Sequence, residues 1–128
     1  MPLTLRSLSM PFYIHRLPPH TTLPSRLLQQ PWVFVAATPE ETSVLAPEGT
    51  FTPPEGARCE GPWLGWYVQG PLDFGLVGIL AQISTVLASA DVPILAISTY
   101  DTDYIWVPQT AWAKARQALL AAGYRLQD

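Results

Sequence analysis

Two carboxylates, Asp101 and Asp103, stand two residues apart just after an apolar run that ends at Ile97-Ser98-Thr99. Such a pair can hold an α-ammonium group or a cationic side chain through charge-assisted hydrogen bonds. Each bond contributes about 1.5–3 kcal/mol, so two or three suffice for micromolar retention of a small zwitterion. A second feature is the loop Gly70-Pro71-Leu72-Asp73-Phe74-Gly75, which leads into a segment with helical apolar spacing. The unpaired N–H groups and positive dipole end of a helix starting at Leu76 suit a carboxylate. Glycines at 70 and 75 let backbone approach a ligand closely. Each residue also has a plainer reading. Asp73 is well placed as the helix N-cap, which alone accounts for an aspartate there. Aspartates beside a tight turn commonly bond their own backbone, which is reason enough for Asp101. The two glycines serve turn geometry first. An Asp-x-Asp pair can bind Mg²⁺ or Ca²⁺, but no third carboxylate is near in sequence, so no metal is expected.

The remaining reactive side chains are sparse. His15 falls on an expected strand, His20 in a proline-rich loop and Cys59 in a Pro/Gly loop. A single cysteine excludes an internal disulfide and a Cys-x-x-Cys site, and points to a reducing compartment, the cytoplasm. No serine or cysteine has a recognisable nucleophile setting. A small hydrolase built from Asp101, Asp103 and a histidine is therefore the third-ranked reading, and no cofactor is expected. Tryptophans 32, 63, 66, 106 and 112 read as core or interface anchors.

The chain has 128 residues, 48% hydrophobic and 13% charged, with a net charge of -3. That charged share is about half the usual one, and the apolar content excludes a disordered chain. A single lysine, Lys114, and scattered arginines make no basic patch, which argues against nucleic-acid binding. No basic stretch followed by an apolar core opens the sequence, so no signal peptide is expected. The longest unbroken apolar helical run, residues 76–90, falls short of the roughly 20 residues a bilayer span needs. No membrane partner is expected.

The elements that must position these residues divide unevenly. Of 14 prolines, eleven lie in residues 1–62. Proline fixes φ and removes a donor, so the first half supports little helix beyond a turn at 25–30. Residues 46–62 read as a long connector. After it, 66–69 reads as a strand. Leu76, Ile79, Leu80, Ile83, Val86, Leu87 and Ala90 make one face of a helix stopped by Asp91-Val92-Pro93. Residues 94–98 and 104–107 read as strands around a turn at 100–103. Thr110 is placed to cap a second helix bearing Trp112, Ala115, Leu119 and Ala122, with Gly123 as its stop. Residues 124–126 make a last strand. The order β-α-β-β-α-β predicts an α+β, ferredoxin-like unit with two helices on one face of a four-stranded antiparallel sheet.

The first half echoes this pattern. Residues 34–48 align with 95–109 at an offset of 61, Thr38 meeting Thr99 and Pro47 meeting Pro108. Residues 12–15 align with 66–69 at an offset of 54. The first copy is then seven residues shorter where the first helix should be. Two domains are expected: 1–61, a truncated, mostly β half, and 62–128, the full unit, packed as one body.

The run Gly70 to Leu80 followed by Ile97-Ser98-Thr99-Tyr100-Asp101-Thr102-Asp103-Tyr104-Ile105 resembles the ACT-domain family. The nearest branch is the small stand-alone bacterial ACT proteins, similar to the aspartate kinase regulatory region and the cytosolic arginine sensors. The resemblance is strong over 63–126 and weaker over 3–48, where Glu40-Glu-Thr-Ser-Val-Leu45 matches. It implies a non-enzymatic regulatory module that binds a small amino acid between two ACT units, as a homodimer, and passes occupancy to a partner protein. Carried over by position, it implies a pocket formed by Gly70, Pro71, Leu72, Asp73, Phe74 and Gly75 with Thr99, Tyr100, Asp101 and Asp103. For Asp103 the resemblance tips the reading toward ligand. The shortened first half departs from the family pattern at its own first loop. The second-ranked reading is a ligand-free interaction module whose apolar surface serves pairing.

Overall fold

A computed structural model describes residues 3–70 and 77–128. Among them are seven strands: β1 (Thr4–Leu17), β2 (Phe34–Ala37), β3 (Thr42–Pro47), β4 (Arg58–Val68), β5 (Leu95–Ser98), β6 (Asp103–Pro108) and β7 (Arg125–Gln127). Two helices, α1 (Ile79–Ser89) and α2 (Trp112–Ala121), and two 3₁₀ turns, Leu27–Gln29 and Gln109–Ala111, complete the described elements. The chain divides into two units, Met1–Ser9 with Trp63–Asp128, and Met10–Pro62.

The larger unit has the α+β, ferredoxin-like order β4-α1-β5-β6-α2-β7. β6 pairs antiparallel with β4, Trp66 opposite Ile105, and with β5, Ile97 opposite Tyr104. Its core gathers Leu5, Trp66, Val68, Ile83, Leu87, Ile105, Val107, Ala115 and Leu119. The helices supply the 83/87 and 115/119 pairs, one turn apart on one face of each. Ile83, Leu87 and Leu119 each contribute about 1.5–3 kcal/mol by leaving water, and the smaller Ala115 less. Trp66 is 1% exposed and stacks on Trp112 of α2, centroids 4.1 Å apart and planes within 12°.

The partner of the last strand differs from expectation. Residues 4–6 of β1 pair with β7 in parallel, Leu5 opposite Leu126, and Gln69 N–H donates to Thr4 O at 2.9 Å. β1 thus stands between β7 and β4 in this unit. The physical cause is the apolar N-terminal segment: Leu5 and Leu8 bury themselves, at 1% and 4% exposure, and Leu5 joins the unit's core.

Three further local expectations are corrected. α1 begins at Ile79, with Gly78 at its N-cap in the left-handed region (φ 81) and no side-chain cap. Positive φ interrupts helical geometry, so Gly78 takes the N-cap position expected of Asp73, which lies outside the described residues. Thr110 lies in a 3₁₀ turn, and α2 starts at Trp112 without a side-chain cap. β4 starts at Arg58, so the connector ends earlier than residue 62. The helix stops are as read. Asp91 (φ 61) and Gly123 (φ 96) adopt left-handed conformations after α1 and α2. Val92 N–H then donates to Leu87 O, and Tyr124 N–H to Leu119 O, closing both ends.

In the smaller unit β3 pairs antiparallel with β1, Phe12 opposite Pro47, and with β2, Phe34 opposite Leu45. Leu17, Leu27, Val44, Ala46 and Phe51 form its core. The β2–β3 hairpin occupies residues 34–37 and 42–47, and β5–β6 occupies 95–98 and 103–108, the same ranges shifted by 61. Both turns close identically. Thr38 N–H and Oγ1 donate to Glu41 O, as Thr99 N–H and Oγ1 donate to Thr102 O. The first-strand offset is 51 rather than 54, because Phe12 faces Pro47 as Trp63 faces Pro108. The smaller unit is therefore ten residues shorter between first strand and hairpin, as 61 − 51 = 10. A 3₁₀ turn stands where the larger unit has α1.

Candidate ligand-binding site

The Thr99–Asp103 turn is built by a threonine bracket. Thr99 Oγ1 donates to Thr102 O at 3.1 Å and accepts from Thr102 N–H at 3.3 Å. Ser98 Oγ donates to Asp103 Oδ1 at 2.5 Å across the hairpin mouth, which fixes the carboxylate and leaves it further acceptor capacity. Tyr100, 80% exposed, and the exposed Asp101 stand at the tip. Burial, then the neighbouring Tyr67 and the charge of Asp101, raise the Tyr104 phenol above its ordinary pKa.

Thr102 was not singled out in the sequence. Its side chain is 8% exposed, and Oγ1 donates to Val68 O at 2.6 Å. That bond ties the turn to the end of β4, two residues before Gly70. It brings the hairpin turn and the start of the glycine loop to one end of the sheet. A buried hydroxyl of this kind leaves no mark in a single sequence, because threonine is ordinary in turns.

Of the sequence-predicted residues, Gly70, Thr99, Tyr100, Asp101 and Asp103 are described. Pro71, Leu72, Asp73, Phe74 and Gly75 lie outside the described residues. At the start of α1 the first helical bond runs from Gln82 N–H to Gly78 O at 2.9 Å. The amides of Ile79, Leu80 and Ala81 therefore have no intrahelical acceptor. Among the described residues, no group of three or more His, Cys, Asp or Glu could hold a metal ion. No helix among them is long and apolar enough to cross a membrane. Of the two histidines open to the hydrolase reading, His15 is 6% exposed and His20 is exposed.

Residues 59–121 match the ACT domain. The chain contains an ACT domain. The match covers the described β4-α1-β5-β6-α2 run, the site turn included. Among solved structures, the chain is similar to an Agobacterium tumefaciens protein, with TM-score 0.86 and 25% identity over 98% of this chain and 92% of that one. It also shares its fold with a Vibrio cholerae protein of unknown function described as a possible transport protein: TM-score 0.71, 19% identity, 93% and 88% covered. The same holds for the ligand-free regulatory subunit of aspartate kinase from Thermus thermophilus: TM-score 0.60, 11% identity, 89% and 93% covered. A search of curated proteins finds no match.

Proposed function

We propose that the chain is a non-enzymatic regulatory module that binds a small amino acid at an interface between ACT units. The observation that carries this reading is the joining of the Thr99–Asp103 turn to the end of β4 through Thr102 and Val68 O, inside the segment that matches the ACT domain. Its fold is also that of an aspartate kinase regulatory subunit. Asp103, held by Ser98, receives the α-ammonium group. Amides at the start of α1, with the positive end of its dipole, favour the carboxylate. Ligand spanning two units stabilises one mutual arrangement over another, which is how occupancy reaches a partner protein. The module acts as a homodimer in the cytoplasm.

Calorimetric titration with each of the twenty amino acids tests the reading. One or a few should bind, and Asp103→Ala should weaken that binding while the circular dichroism stays unchanged. Absence of heat and of any thermal shift at millimolar concentrations refutes it. An uncharged outer face on α1, with Ala81, Gln82, Thr85, Ala88 and Ser89 exposed, favours a second reading as a pairing surface. Dimerisation with the same constant at every amino-acid concentration would support that reading against the first.

A further inference from the structure

The smaller unit has its own open cavity of about 410 Å³ beside the Thr38 turn, with His20, Ala37, Thr38 and Pro39 exposed at its rim, in the unit that has no counterpart of α1. Such a volume is ordinary for a small-molecule pocket with an apolar lining and a few polar groups. Leu23, Val35, Ala37 and Pro39 supply apolar lining, and His20, Thr21, Thr38 and Thr42 the polar groups. Among the described residues, no carboxylate lines it. Thr42, 3% exposed, occupies the hairpin position that Asp103 holds in the larger unit, so the acid that would take an ammonium group is absent here.

The hydroxyls are largely committed. Thr38 Oγ1 donates to Glu41 O and accepts from the amides of Glu40 and Glu41. Thr21 Oγ1 donates to Pro18 O at 2.6 Å. That bond closes the turn of residues 18–21, whose third residue, His20, has φ 65. Glycine is the usual residue for a left-handed third position, and a histidine there is strained. The backbone that carries the imidazole to the edge of the cavity is thus held by a turn that a glycine would make more easily. An imidazole donates a hydrogen bond from one ring nitrogen when neutral and from both when protonated.

We propose that this cavity binds a small aliphatic monocarboxylate, its chain on Leu23, Val35, Ala37 and Pro39 and its carboxylate on the His20 imidazole. The site is separate from the Thr99–Asp103 turn and does not depend on the amino-acid reading. Isovalerate, isovaleramide and isoamylamine, which share one carbon skeleton, are titrated into the full chain by calorimetry and by NMR of the histidine ring resonances. Isovalerate should bind in the millimolar range or tighter, shift the His20 resonances, and exceed the amide at least tenfold, with no binding of the amine. His20→Gly removes the imidazole at a backbone position suited to glycine, so the fold persists, and isovalerate affinity should fall at least tenfold. Asp103→Ala should leave it unchanged. Equal affinity for acid and amide, no shift of the His20 ring, or full affinity in His20→Gly would each overturn the proposal, as would no saturable isovalerate binding.

Discussion

His15 provides a titration whose sign and size follow from its surroundings. The imidazole sits on β1, 6% exposed, opposite Val44 in the strand register. It meets the Phe51 ring edge-on, centroids 5.1 Å apart and planes at 78°. Its Nδ1 is buried without a hydrogen-bond partner among the described residues. Burial of this kind penalises the charged ring, and the His15 pKa is lowered from its ordinary value of 6.5. Above that value the ring is neutral in both the folded and the unfolded chain, and it adds no pH dependence. As pH falls below 6.5, the unfolded chain takes up a proton that the folded chain refuses. Stability then falls by up to about 1.4 kcal/mol per pH unit, until the depressed folded pKa is reached. His15→Phe replaces one buried ring with another and removes the orphaned nitrogen, so this part of the pH dependence should vanish. Urea unfolding of both proteins at pH 7.5 and at steps down to pH 5 measures the effect. The slope shared by both proteins belongs to carboxylates, and the difference to His15. Parallel stability curves across that range, or a His15 ring titrating at or above 6.5 by NMR, would refute the reasoning.

Gly65 lies opposite Trp106, and a Cβ built there would stand 2.6 Å from the Trp106 ring and 2.8 Å from Ile105 O. Gly65→Ala should therefore cost about 1–3 kcal/mol by thermal or urea unfolding; a stability equal to the parent would show that the ring moves freely. Trp112→Leu keeps apolar bulk on α2 but removes the stack on Trp66, and should cost about 0.5–1.5 kcal/mol beyond the area lost, read in a double-mutant cycle with Trp66→Leu. A coupling of zero would mean that the stack adds nothing. Thr102→Val deletes the bond to Val68 O and should destabilise by about 1 kcal/mol. It should also weaken any ligand at the Thr99–Asp103 turn, and unchanged affinity would show that the clamp does not position the site.

Period and punctuation made most of the larger unit legible. Ile83 and Leu87, and Ala115 and Leu119, recur at the interval that defines a helical face, and all four are buried. Asp91 and Gly123 end those helices by taking left-handed conformations, which are common for glycine and more tolerable for aspartate than for most side chains. What escaped was set by a single backbone angle or by chain segments far apart in sequence. The start of α1 depends on one glycine's φ, which composition does not reveal, so an aspartate five residues earlier was the natural choice of cap. The place of β1 beside β7 depends on Leu5 finding the core of residues 63–128, a contact across most of the chain. At the site, the paired aspartates and their turn were readable because they are local. Thr102 was not, since its role is a bond to Val68 O, 34 residues away in sequence.

The register also changes what the shortened first half means. An offset of 54 aligned similar residues, but backbone pairing sets 51, because Phe12 and Trp63 face equivalent prolines. Side chains alternate sides along a strand, so a shift by an odd number of residues exchanges the two faces of the whole segment. At an offset of 51, Leu17 corresponds to Val68, and both are fully buried in their own units. At 54, Leu17 would correspond to position 71, three residues past the end of β4 at Val68. The first half is therefore a unit with its sheet and its Thr38 turn preserved and its helix replaced by a proline-rich strap. The cavity beside Val35 and Ala37 lies in the unit that has no counterpart of α1, and Thr42 stands at the hairpin position that Asp103 holds in the larger unit. On the two proposals above, two hairpins of the same residue spacing would differ in the charge of ligand they favour: an amino group at Asp103 and a carboxylate at His20.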